Sequence, residues 1–100
     1  MKRAKMRRLE IIQVRTAQKN QLLLEQYLAG WLAQVRGGTQ AQNITIYRHV
    51  SVETDFSIHL QHDSETEQAD LALGERLALA LREFGLVNHA VWIEHNPQMK

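Results

Sequence analysis

The chain has 100 residues, of which 44% are hydrophobic and 23% charged, a composition typical of one small globular domain. It contains no cysteine, which excludes disulfides, thiolate metal sites and cysteine nucleophiles. The formal net charge is only +1, and no apolar run approaches the roughly 20 residues of a membrane-spanning helix. We therefore expect a cytoplasmic protein with no membrane partner.

The charge distribution predicts three segments. Residues 1–8 are rich in Lys and Arg and predict a flexible basic tail, residues 9–96 a single domain, and residues 97–100 a short C-terminal tail. Domains that bind nucleic acid usually spread basic charge over a folded face, whereas the body of this chain is mildly acidic. The sequence therefore disfavours nucleic acid as a partner.

A strand and a helix come first. Residues 9–16 are rich in Ile and Val and predict a strand with apolar side chains on both faces. From about residue 19 to residue 36 the apolar spacing becomes helical, and Gly37-Gly38 ends the helix. The apolar face of this helix comprises Leu23, Leu24, Tyr27, Leu28, Trp31, Leu32 and Val35.

Two alternating segments follow, residues 43–50 and 56–62, and they predict a hairpin. Keeping the apolar residues on one face favours a register that pairs Val50 with Phe56 and Ile46 with Leu60. This register places Tyr47 opposite His59, with His49 as a diagonal neighbour of His59, roughly 7 Å away at the backbone.

A second helix and a last strand complete the chain. Ser64 and Glu67 have the spacing of a capping box, and an apolar stripe runs through Leu73, Leu77 and Leu81. Gly85, with Leu86 behind it, is expected to cap this helix. Residues 87–95 then predict a strand that carries Ile93 and Trp92 on opposite faces.

The element order βαββαβ predicts a ferredoxin-like α+β fold. Its four-stranded antiparallel sheet has strands one and three in the centre and both helices on one face. The other face has no helix, yet strands one and four carry apolar side chains on both sides. We therefore predict a homodimer that packs sheet to sheet.

The chain carries, in this order, Trp31 in the first helix, the Gly37-Gly38 turn, the pair Tyr47-Arg48, the hairpin, and the acidic turn Asp63-Ser64-Glu65. In these features it resembles the antibiotic biosynthesis monooxygenase-like family of the dimeric α+β barrel superfamily. The resemblance implies a dimeric α+β barrel, a pocket between sheet and helices that holds an aromatic substrate or, in some members, haem, and a small-molecule-binding protein or cofactor-independent monooxygenase. The chain departs from the family at His62, where a Trp is common, and it lacks the family's His at the start of helix two.

Imidazoles are the expected catalytic groups, because a neutral imidazole can deprotonate a phenol before it meets dioxygen. The catalytic candidates are His49, His59 and His62. The candidates for ligand binding are Tyr47, Asn88, Trp92 and Trp31, with core packing as the alternative role of Trp31. No compact spacing of metal ligands is present, so we expect no metal and no cofactor.

Three functions compete. The first is a small-molecule-binding dimeric barrel of the oxygenase type. It predicts an enclosed pocket lined by His and aromatic residues, and an interior filled by Leu and Ile would count against it. The second is a non-catalytic dimerisation or interaction module, favoured by the lack of a convergent catalytic constellation. The third is an RNA-recognition sheet, but residues 55–60 lack its aromatic signature.

Overall fold

The computed structural model describes residues 7–36, 43–63 and 67–95. A 3-10 turn (Gln18–Asn20) precedes the first helix, and the main elements are β1 (Arg7–Thr16), α1 (Gln21–Arg36), β2 (Asn43–Arg48), β3 (Asp55–Asp63), α2 (Glu67–Leu81) and β4 (Gly85–Ile93). The predicted Gly37-Gly38 helix end, the Ser64 cap, the C-terminal tail and most of the basic tail lie outside the described residues. β1 begins at Arg7, two residues earlier than expected.

The sheet is four-stranded with the order β2-β3-β1-β4, and every neighbouring pair is antiparallel. This order confirms the predicted ferredoxin-like α+β fold, with strands one and three in the centre. Alternation along the strands then gives each face its own set of side chains, because successive residues point to opposite sides.

The register of the β2–β3 hairpin was predicted wrongly by two residues. Ile46 pairs with Ile58, not with Leu60, and Val50 lies beyond the end of β2, where it is almost fully exposed. The turn sets this register, because the amide of His49 donates to the carbonyl of Asp55 at 2.8 Å. A shift of two residues leaves every side chain on its expected face.

The layer between sheet and helices is a packed apolar core, and half-buried Trp31 packs against it. Its buried residues are Ile12, Val14, Leu24, Leu28, Ile44, Phe56, Ile58, Leu60, Leu77, Ala78 and Leu81. The aromatic-lined pocket expected in this layer is therefore not found among the described residues, because branched aliphatic side chains fill the space.

Gly85 has a different role from the predicted helix cap. None of the described glycines has a positive φ, and Gly85 opens β4 directly opposite Thr16. A Cβ on Gly85 would overlap the carbonyl of Arg15, so a side chain cannot fit at this approach of β4 to β1. The hydroxyl of Thr16 donates to the carbonyl of Phe84 at 2.6 Å and ties the end of α2 to the sheet.

Candidate functional site

A polar row crosses the sheet face that no helix covers. Tyr47 lies opposite Ser57, Ser57 opposite Gln13, and Gln13 opposite Asn88, so one residue from each strand contributes. The amide Nδ2 of Asn88 is 3.4 Å from Oε1 of Gln13, to which it donates. The row therefore presents hydroxyl and amide groups side by side on a flat floor.

A groove of about 360 Å³ lies over this row. Tyr47 borders it from β2 and Leu86 from β4, and both side chains are exposed, at 51% and 75%. A volume of this size can hold a small ring system. The groove combines an apolar rim with a hydrogen-bonding floor, the usual composition of a small-molecule site.

An ion pair closes one end of the groove. Nε of Arg15 donates to Oδ1 of Asp55 at 2.9 Å, and Nη2 donates to Oδ2 at 3.0 Å. These hydrogen bonds lower the pKa of Asp55 below its ordinary value of 3.8, while partial burial acts in the opposite direction. The same contacts raise the pKa of Arg15. The charges at this end are therefore paired with each other.

His59 is the one predicted catalytic histidine that the structure places on the uncovered face of the sheet. Its Nε2 lies 3.0 Å from the hydroxyl of Ser57. Its ring centroid is 4.7 Å from that of Tyr47, with the planes tilted by 58°. Tyr47 therefore contacts His59 as expected, although it lies diagonal to His59 and not directly opposite.

His49 does not converge with His59. The residue opposite His59 is Thr45, and His49 lies in the turn beyond β2. Its Nδ1 accepts the backbone N–H groups of Ser51 and Val52, each at 3.0 Å. The proton of a neutral His49 is then on Nε2, so this imidazole offers the groove a donor and not a base.

The predicted ligand-binding residues divide between the two sides of the sheet. Tyr47 and Asn88 line the groove, and Trp92, which is 61% exposed, lies on the same face opposite Leu9. Trp31 lies on the other side, against the helix-facing core. A single monomeric site cannot include all four.

His62 also lies on the helix-facing side, where it forms part of a buried polar cluster with Glu10 and His89. Nε2 of His62 is 3.0 Å from Oε1 of Glu10, and Nε2 of His89 is 2.6 Å from Oε2. The exposed fractions of the three side chains are 0% for Glu10, 7% for His62 and 25% for His89. Three adjacent strands thus bring two imidazoles onto one buried carboxylate.

Gly74 of α2 covers this cluster. A Cβ at this position would overlap the carboxylate of Glu10, so the helix approaches the sheet here with its bare backbone. A buried carboxylate is tolerated only where hydrogen bonds replace its hydration. The two histidines supply such hydrogen bonds, and the lack of a side chain at Gly74 leaves room for the carboxylate.

Glu10 and His89 were not predicted as members of a site. A signal was present, because Glu10 alternates with Ile12 and Val14 and therefore falls on the core face of a central strand. An ionisable residue at such a position is seldom buried without a partner. The alternation of β3 likewise places His62 on the side of Leu60.

Two classes of feature are absent from the described part of the chain. Residues 7–36, 43–63 and 67–95 contain no group of three or more His, Asp or Glu side chains arranged to hold a metal ion. Neither helix, as far as the structure describes it, has the length and hydrophobicity needed to cross a membrane.

Comparison with known proteins identifies the fold. No protein-family model matches the chain, and no curated protein matches it. Among solved structures, the chain is similar to the crystal structure of a candidate antibiotic biosynthesis monooxygenase from Bordetella bronchiseptica. The two share 11% identity with a TM-score of 0.63, over 90% of this chain and 96% of the other. The resemblance noted in the sequence is thus confirmed at the level of the fold, which is ferredoxin-like α+β in both proteins.

Proposed function

We propose that the protein is a homodimer that binds an aromatic small molecule on its uncovered sheet face, where it acts as a cofactor-independent monooxygenase. The observation that carries the proposal is the groove over the polar row, bordered by exposed apolar side chains on the one sheet face without helices.

The exposed apolar residues of this face support dimerisation. Trp92, Tyr47 and Leu86 are all more than half exposed. Half-buried Leu9 and Ile11 lie on β1, between β2, which carries Tyr47, and β4, which carries Trp92 and Leu86. Large apolar side chains concentrated on one face mark an interaction surface. A second copy that packs its own sheet against this face would cover them and enclose the groove.

The composition of the groove supports an aromatic ligand. The ring of Tyr47 offers a stacking surface, and the amides of Gln13 and Asn88 can bond to phenolic or carbonyl oxygens. Trp92 lies four residues from Asn88 along β4 and extends the aromatic character of the same face. Tyr47, Asn88 and Trp92 are therefore the proposed binding residues.

His59 is the proposed base for the reaction, because it lies beside the groove in contact with Ser57 and Tyr47 of the groove lining. In its neutral form it would take the proton of a phenol, and the resulting phenolate would be rich enough in electrons to react with dioxygen, giving a quinone and one water per phenol and O₂. His49 lines the groove but uses the lone pair of Nδ1 in the turn, and His62 bonds to Glu10 on the other side of the sheet, so neither is proposed as the base.

The second candidate function is a non-catalytic dimerisation module. The packed helix-facing core favours it, because that layer offers no enclosed aromatic-lined cavity among the described residues. Both functions use the same dimer, and they differ in whether the groove binds and oxidises a ligand.

Light scattering and oxygen uptake test the proposal. We expect the wild type to be a dimer and Trp92→Glu a monomer, while Leu22→Glu, a matched change at an exposed leucine of α1, remains dimeric. With a phenol such as 1-naphthol as substrate, we expect oxygen uptake and formation of the quinone, both of which His59→Gln abolishes although the dimer persists. A monomeric wild type would contradict the dimer, and a dimer that neither binds phenols nor consumes oxygen would favour the non-catalytic module.

A further inference from the structure

We propose a second site, on the helix-facing side of the sheet, in which His89 is a general base oriented by the buried carboxylate of Glu10. The substrate class is a small apolar molecule with one weakly acidic O–H group, such as a phenol or an enol. The site lies within one protomer and does not depend on the proposed dimer or on its groove.

The protonation of the ring follows from its partner. With Glu10 as an ionised carboxylate, which can only accept hydrogen bonds, Nε2 of His89 carries the hydrogen that lies between it and Oε2 of Glu10. The neutral ring then has its lone pair on Nδ1. This arrangement fixes the tautomer, as the carboxylate partner of a catalytic histidine does.

Nδ1 of His89 is the atom that a ligand can reach. It makes no hydrogen bond within the described residues, and none of their buried side-chain nitrogen or oxygen atoms lacks a partner. Nδ1 is therefore not buried, which agrees with the 25% exposure of the side chain. His62 differs, because it is almost fully enclosed.

A groove of about 320 Å³ between α2 and β4 lies over His89. Its walls are Ala78 and Leu79 from α2 and Val87 from β4. Glu75 and Arg82, one residue of each charge, also line it, so the groove has no net charge. A neutral groove with apolar walls and one acceptor on its floor suits an uncharged molecule that donates a single hydrogen bond.

The proposed step is a proton transfer that balances without a further reactant. The O–H bond of the ligand breaks, its proton moves to Nδ1 of His89, and the electron pair stays on the ligand oxygen. The imidazolium that forms is paired with Glu10 at 2.6 Å, and His62 holds the other carboxylate oxygen in place. Glu10 is therefore a positioning residue that stabilises the charged form of the base.

The experiment uses 4-nitrophenol, whose absorption spectrum distinguishes phenol from phenolate. At a pH where the free probe is mostly protonated, we expect the full-length protein to produce phenolate in a saturable way. His89→Gln should abolish this signal, and Glu10→Gln should reduce it about tenfold, the effect of losing one charge-assisted hydrogen bond. His95→Gln removes another exposed histidine beyond the same strand and should leave it unchanged.

Amide spectra of the labelled protein locate the probe. Shifts at Ala78 and Leu79 would support the site, whereas shifts confined to Tyr47 and Ser57 would place the probe on the uncovered face and overturn it. An undiminished signal in His89→Gln would also overturn it, whatever the outcome for the dimer. If Glu10→Gln does not fold, the ring nitrogen shifts of wild-type His89 decide: the proposal requires the proton on Nε2 and fails if the neutral ring carries it on Nδ1.

Discussion

Gly74 and Glu10 face each other so closely that the helix backbone and the buried carboxylate leave no room for a single methyl group between them. Gly74→Ala must therefore displace either α2 or the carboxylate from its two histidines. We expect this substitution to lower the free energy of unfolding by about 1–3 kcal/mol, the usual cost of overpacking. Urea denaturation followed by circular dichroism measures it.

The matched control for that change is Gly30→Ala in α1. Gly30 is exposed, and apart from its chain neighbours and the backbone of its own helix no atom lies within 4 Å of the position that its Cβ would occupy. We expect this substitution to raise stability by about 0.5–1 kcal/mol, because alanine is the better helix former. Equal effects of the two substitutions would show that Gly74 is not needed for the approach of α2 to Glu10.

The ion pair of Arg15 and Asp55 makes stability depend on pH in the acid range. The pKa of Asp55 is lowered in the folded state, chiefly by the hydrogen bonds from Arg15. Its contribution is therefore present above the ordinary value of 3.8 and is lost as the pH falls through the lower, folded value. We expect wild type to be more stable than Asp55→Asn at neutral pH, and the difference to vanish in strong acid.

Thermal unfolding at a series of pH values checks this prediction. Glu53→Gln changes another carboxylate of the same loop, one that makes no ion pair within the described residues, and serves as the control. A constant difference between wild type and Asp55→Asn down to strong acid would show that the pair does not act through the charge of Asp55. High salt should weaken the effect, because Arg15 is exposed.

The imidazole of His49 holds the loop between β2 and β3. His49→Phe leaves the amides of Ser51 and Val52 without their shared acceptor. We expect these two amides to exchange with solvent faster, and the unfolding free energy to fall by about 0.5–1.5 kcal/mol. Hydrogen exchange measured by NMR resolves both effects.

His49→Asn is the corresponding rescue, since an asparagine side-chain oxygen accepts backbone amides in turns of this kind. We expect exchange at Ser51 and Val52 to return toward that of the wild type. If Phe and Asn behave alike, the loop is held by the backbone bonds between Asp55 and its partners alone.

The element order was predictable because apolar spacing changes from two to nearly four between strands and helices. The same periodicity could not fix the hairpin register, because a shift of two residues leaves each face unchanged. Only the hydrogen bonds of the turn, such as that from His49 to Asp55, distinguish the two registers.

The buried cluster was less predictable than the fold. Alternation places Glu10, His62 and His89 on the core side of three strands, but it cannot show that these strands are neighbours in a register that brings the three together. The arrangement on the uncovered face was easier to predict, because Tyr47 and His59 are neighbours in both the predicted and the observed register. The space over Glu10 depends on Gly74, and the role of this glycine could be identified only from the way in which α2 packs against the sheet.

A charged residue in the middle of β1 also bears on how the strands find their alignment as the chain folds. Sliding β1 by two positions past β3 and β4 would keep aliphatic residues facing the helices. Hydrophobic packing alone would therefore not distinguish this register from the native one. A slip in either direction would set Glu10 directly opposite one histidine, His62 or His89, and move it four residues away from the level of the other. The misaligned sheet therefore leaves a buried carboxylate with only one of its two imidazole partners, and this cost favours the native register of the three strands.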